Sequence, residues 1–321
     1  YRVGHFSTPT LRDLQQQCSE VELPGKLKLR NVVGSVDEFL AAEENRHATF
    51  QVASQFNCLE TMSPTQYPEE GVGCYSKDRT QGPACSIACG PATVFRNYFV
   101  PIDAESRAAE LGSLVQRGQT QDYQIDNLAE VGQVLGNDPH GKLFQVRTGW
   151  VLADDEQLEQ LNTAMGALSS DRLDQLRAAL RFGIHRDTQV TSCKFGERAV
   201  HDPQQLVTQV CTSACPTNAS ATRHLWASFA KLILEAAYEA VFWAALLSAQ
   251  KSPDAPGSRR IFLTCLGGGA FGNSWHWITG ALRTTMARFK DYDLDVRIVC
   301  HKGPVDQDLV QLASDVNSGS L

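Results

Sequence analysis

Three consecutive glycines, Gly267, Gly268 and Gly269, stand between an apolar run, RIFLTCL, and a helical pattern, NSWHWITGALRTTMARF. A glycine triplet costs conformational entropy on folding. It is kept where the backbone takes φ > 0 or where something must approach it closely. With Ala270, Phe271, Gly272 and Asn273 it completes a strand–GGGAFG–helix order. Glycines let backbone N–H groups turn toward a ligand with no Cβ in the way. A helix N-terminus adds unpaired donors and a favourable dipole. The chemistry this suits is phosphate binding. No Lys-Ser/Thr pair follows, so the loop is not a P-loop. A Rossmann fingerprint should open the first βαβ unit, and this loop comes late in the chain. The plain alternative is a tight packing turn.

Two further groups could act with it. Gln55 and Asn57 follow a β-rich run, and an amide there can hold a ribose hydroxyl or orient a water; an Asx turn is the structural alternative. Asp78, Arg79, Thr80, Gln81 and Gly82 precede a helical pattern. Arg79 can clamp a phosphate in bidentate fashion, and Asp78 can act as general base on water. Against this, Asp78 or Thr80 can cap the helix, and Asp78 and Arg79 can simply pair on the surface. Phe271 can stack on a ribose or base, or anchor its loop. Glu60, Glu69 and Glu70 are carboxylates in a long loop, read as solvated. No G-x-S-x-G elbow is present.

The elements that must position these residues alternate. Segment 26–34 (KLKLRNVVG) predicts a strand and 36–45 (VDEFLAAEEN) a helix. Segment 48–60 begins as a strand and turns polar. The loop 61–79, rich in Pro, Gly and Ser, is too long for a mere connector. A helix over 80–99 carries Pro83 in its first turn and is broken at Gly90-Pro91. Residues 100–181 are mainly helical and charged, with a strand pair near 142–152, and suggest an insertion on a common core. Segments 185–195, 205–216, 260–266 and 294–301 predict strands. Helices are predicted at 220–250, capped near Ser220, at 275–292, capped at Asn273 or Ser274, and at the C-terminus. Strands alternating with helices predict an α/β sandwich, with ligands at the carboxyl ends of strands.

The chain has 321 residues and a formal net charge of −7, which disfavours long nucleic acid as a partner. The ten cysteines are irregularly spaced, with no CxxC pair. They read as small buried hydrophobes in a reducing compartment, with no metal expected. The N-terminal stretch shows no signal-peptide pattern. The most apolar segment, 240–249, is too short to span a bilayer, and Lys231, Glu235 and Glu239 should give its helix one wet edge. A cytoplasmic or nuclear location is expected.

LTCLGGGAFGNSWHWITGALRTTMARFKDYDLDVRIVCH resembles the C-terminal signature of macrodomains in order and spacing. LVTQVCTSACP resembles the family's strand ending in a V-G-P-like turn. VVGSVDEFLAAEENRHATFQVASQFNCL resembles its G-D-I-T opening and V-N-A-A-N-x-x-L strand. The resemblance implies an α/β fold, a three-layer α/β/α macrodomain-like mixed sheet. One such domain would span residues 1–321, with 100–181 as a helical insertion. It also implies a divergent member. Ser35 stands where many members carry the Asp that reads adenine, with Asp37 as its substitute. Asn57 or Gln55 would do the work of the family asparagine. Gly71-Val72-Gly73 and residues 78–82 replace the first glycine loop.

The implied ligand is ADP-ribose or an ADP-ribosylated protein or small molecule, with no cofactor and no membrane. Gln55, Arg79, Gln81, Gly82 and residues 267–273 would bind it. The enzyme reading is hydrolysis of an ADP-ribosyl bond, with Asp78 and Asn57 as catalytic residues. The alternatives are a non-catalytic ADP-ribose reader and a protein that processes nucleotides or RNA ends.

Overall fold

Residues 1–102, 118–138, 140–219 and 222–321 are described in the computed structural model. The strands, in chain order, are β1 (His5–Ser7), β2 (Lys28–Val33), β3 (Thr49–Ala53), β4 (Gln145–Arg147), β5 (Trp150–Leu152), β6 (Gly183–Gln189), β7 (Ser192–Cys193), β8 (Arg198–Ala199), β9 (Leu206–Thr212), β10 (Arg260–Leu263) and β11 (Asp295–Cys300). Seven form one mixed sheet in the order β1-β6-β9-β3-β10-β11-β2. The five from β9 to β2 run parallel, and β6 and β1 join antiparallel at one side. β4 and β5 form a separate hairpin, as do β7 and β8.

The parallel strands read as sequence predicts for a sheet covered on both faces. Every residue of β9 is buried, as are the first four of β3. One face carries the helix Ala227–Lys251, flanked by Leu11–Gln17, Trp275–Phe289 and Gln307–Ser318. The other carries Val36–Ala41, Gln81–Ala88 and Gly90–Tyr98, over a smaller core in which Phe50 stacks on Phe262 at 4.4 Å. This is a macrodomain-like α/β fold. Gly90-Pro91 breaks the 80–99 helix, as expected.

Three sequence expectations change. The helical stretch Arg223–Lys251 is long and apolar enough to span a bilayer by composition, although its 240–249 segment alone is not; 83% of its most apolar window is buried in protein. Its polar stripe is not wet throughout. Glu239 is buried and accepts from Gln15, Arg177, Trp243 and Arg288 at 2.5–2.9 Å. The loop 61–79 is partly ordered by two 3-10 turns, Pro68–Glu70 and Val72–Lys77. The expected cap at Ser220 and positions 103–117 of the expected insertion lie outside the described residues.

Candidate functional site

β3, β9 and β10 are adjacent and parallel, so their carboxyl ends open on one side of the sheet. The loops leaving them form a cleft of about 580 Å³. One wall is the glycine loop. Its shape comes from Gly267 at φ +73° and Gly272 at φ +66°, conformations that side chains resist. Buried groups clamp it from below. The Tyr238 hydroxyl donates to the Thr264 carbonyl at 2.9 Å and accepts from Leu266 N–H at 3.0 Å. Asn273 Nδ2 donates to the Cys215 carbonyl at 2.7 Å, and the Thr217 hydroxyl to the Gly272 carbonyl at 2.8 Å. With its carbonyls tied inward, the loop leaves the N–H groups of Gly269, Ala270 and Phe271 without an acceptor among the described residues, and all three residues line the cleft. Consecutive free N–H groups form an anion-binding concavity.

The facing wall is the entry to the helix Gln81–Ala88. Asp78 Oδ1 accepts from Thr80 N–H at 2.9 Å. The Arg79 guanidinium lies 4.7 Å from the Phe195 ring centroid, and among the described residues it makes no ion pair with Asp78. Lys77, which the sequence reading passed over, adds a cation to this wall. One end is closed by the hairpin. Trp150 Nε1 donates to Thr61 Oγ1 at 3.0 Å, and its ring lies 4.8 Å from that of Phe271.

Nine of the thirteen residues expected at the site line the cleft: Gln55, Asp78, Arg79, Gln81, Gly82, Gly267, Gly269, Ala270 and Phe271. Four do not. Asn57 is fully buried beneath it. Its Nδ2 donates to Gln124 and its Oδ1 accepts from Leu59 N–H, so both polar atoms are engaged within the fold. Gly268 turns toward Ile278, Gly272 lies against Asn218, and Asn273 is a clamp. Two lining residues also change role. The Gln81 amide is consumed by β3, accepting from Ala53 N–H and donating to the Gln51 carbonyl. Gly82 is the point where the helix presses on β3. Asp37 is buried, held by Ser35 and by Phe195 N–H, and does not line the cleft.

The residue the sequence reading misplaced most is Glu60. It is not solvated but 2% exposed, at the cleft floor. Its N–H donates to the Tyr75 hydroxyl at 3.0 Å, and its Oε1 accepts from Ser86 at 3.2 Å. Its Oε2 is the oxygen beside Gly82. Burial, and then the neighbouring Cys211, push its carboxyl well above the usual carboxylate range. A sequence signal existed: Glu60 closes the short apolar stretch FNCLE directly after β3, before the polar run begins.

No family model matches the sequence, and no curated protein matches it. Solved structures do. The chain is similar to poly(ADP-ribose) glycohydrolase from Deinococcus radiodurans, crystallised with ADP-ribose, at 12% identity and a TM-score of 0.51, over 99% of this chain and 95% of that one. It also matches the glycohydrolase from Thermomonospora curvata at 10% identity and a TM-score of 0.40, over 96% and 85% of the two chains. At these identities the likeness is one of fold.

Proposed function

We propose that the cleft binds ADP-ribose or an ADP-ribosyl derivative and hydrolyses the bond to its distal ribose. The observation that carries this is the pairing of two features across one cleft: three consecutive N–H groups with no acceptor among the described residues on one wall, and the buried Glu60 carboxyl at the floor. The first suits a diphosphate; the second suits a general acid. The fold likeness to a glycohydrolase crystallised with ADP-ribose supports this ligand class.

In this reading the N–H groups of Gly269–Phe271 take the diphosphate, with Lys77 and Arg79 supplying positive charge. Phe271 and Trp150 pack on the apolar faces of the ligand. Gln55, whose Oε1 is held by Thr61 N–H at 2.7 Å, offers its Nε2 to a ribose hydroxyl. Glu60 gives its proton to the departing glycosidic oxygen as the anomeric C–O bond breaks. Water forms the new bond to that carbon. Asp78, on the same wall, takes the water's proton, which then returns to Glu60, so the net reaction is hydrolysis.

The test is a calorimetric titration with ADP-ribose, with AMP and ribose 5-phosphate as controls, followed by an assay for release of ADP-ribose from ADP-ribosylated protein. Binding of ADP-ribose with turnover supports the proposal. Binding without turnover leaves a reader, and absence of binding removes the ligand assignment.

A further inference from the structure

Beneath the cleft lies a charge that the reaction above does not use. Arg96, on the helix Gly90–Tyr98, is 1% exposed. Its Nε donates to the Cys58 carbonyl at 3.0 Å. Its Nη1 donates to Gln209 at 3.3 Å, and its Nη2 to Ser86 Oγ at 3.2 Å and to Thr93 Oγ1 at 3.4 Å. Among the described residues every partner is neutral, and no carboxylate touches the guanidinium. A buried cation without an anion is costly, so an anion must be near. One acid is. Ser86 Oγ, which accepts from Arg96, donates to Glu60 Oε1 at 3.2 Å.

We propose that Arg96 is a positioning residue for Glu60, holding its carboxyl at the cleft floor through Ser86 and supplying the positive charge that stabilises the carboxylate when Glu60 gives up its proton. This rests on reading Glu60 as the proton donor. When Glu60 loses that proton, the Arg96–Ser86 chain stabilises the carboxylate left behind. Burial, and then Cys211, push the Glu60 carboxyl up, while Arg96 and the Ser86 hydrogen bond draw it back down. The other groups facing Glu60 are Tyr75, Asp78 and Cys85, on the 3-10 turn, the loop and the helix Gln81–Ala88.

The experiment follows the ionisation of Glu60 directly and needs no turnover. Glutamate labelled with carbon-13 at the carboxyl is titrated by NMR, with the Glu60 signal assigned by its loss in Glu60→Gln. Ser86→Ala removes the link to Arg96 and should raise the Glu60 midpoint. A shift of about one unit or more is expected for a charge at this range. Ser86→Ala keeps Arg96 in place; Arg96→Met is a second arm, and should raise the midpoint if it folds. A Glu60 midpoint unmoved or lowered in Ser86→Ala overturns the proposal. Failure of ADP-ribose release by the wild type would instead count against the hydrolase reading and leave these shifts to be read on their own.

Discussion

A methyl group placed on Gly82 would lie 2.3 Å from Glu60 Oε2 and 1.9 Å from the Ala53 carbonyl oxygen. The absent side chain is therefore what lets a loop carboxyl enter between a helix and the end of β3. The backbone carbonyl cannot step aside as a flexible side chain could. Gly82→Ala should destabilise the protein by about 1–3 kcal/mol, the usual cost of overpacking, and displace Glu60. Denaturant unfolding measures the first effect. A loss of turnover larger than any loss of ADP-ribose affinity would report the second.

Glu60→Gln keeps the shape and removes the proton. Turnover should fall by about 10²–10⁴-fold, the contribution of a general acid, while calorimetry shows ADP-ribose affinity changed only a few-fold. The same variant has a stability signature. Burial raises the folded-state pKa of Glu60 above its ordinary value of 4.5. Its stabilising contribution is complete below that value and is lost as pH rises through the folded pKa. The variant should gain on the wild type with rising pH, by up to about 1.4 kcal/mol per unit. Unfolding midpoints with no pH-dependent difference would rule out a buried, protonated Glu60.

The sheet and the anion loop were legible because both are local in sequence. Apolar runs ending in GGGAFG, or in polar turns, announce buried strands that feed loops, and β3, β9, β10 and β11 lie where those runs are. Glu60 was not legible for the opposite reason. Its burial depends on Ser86 and Tyr75, on a glycine at position 82 and on Arg96, all distant in sequence. Asn57 failed in the same way: an amide two residues past Gln55 looks equally placed, but the chain turns at Cys58, at φ +62°, and sends it inward. Trp150 reaches the cleft from a hairpin in the 100–181 stretch, and no local pattern there points to a ligand.

The two glycines of the anion loop should fail differently. Gly269 lines the cleft and has open space where a Cβ would be. Gly269→Asp should fold normally and lose ADP-ribose binding through repulsion of the diphosphate. Gly267→Ala meets Ala214 at 2.6 Å and a φ of +73°. It should lose stability by about 1–3 kcal/mol through strain and crowding. Circular dichroism melts beside calorimetry separate the two cases; wild-type affinity in Gly269→Asp would remove the diphosphate from this loop.

Trp150 gives an optical handle. With its ring 4.8 Å from Phe271 and its indole N–H on Thr61, its fluorescence should change when ADP-ribose enters, and Trp150→Phe should abolish most of that change. Phe271→Ala should weaken binding by about 0.5–1.5 kcal/mol, the scale of one aromatic contact. An unaltered signal at saturating ligand would place the ligand away from the hairpin.

His185 should set part of the acid sensitivity. It is fully buried between the rings of Phe6 and Phe95, at 5.4 and 5.9 Å. Burial, with Arg96 adding to it, lowers its pKa from 6.5 to about 3. The neutral ring's contribution is intact above 6.5. As pH falls toward 3, the unfolded chain binds a proton that the fold cannot, and stability is lost at about 1.4 kcal/mol per unit. His185→Phe should flatten that slope by one proton in urea unfolding series taken across this range.

The strand order has a consequence for synthesis. Leu29 of β2 pairs with Val296 of β11, and β10 enters the sheet between β3 and β11. On the ribosome, β2 therefore waits unpaired until residue 300 has emerged, and β3 keeps one apolar edge bare until residue 263 has followed. Such long-range pairing folds slowly and exposes sticky edges meanwhile. A nascent chain of this order needs shelter for most of its translation, and its yield in a cell should depend on chaperone capacity as much as on the stability of the finished fold.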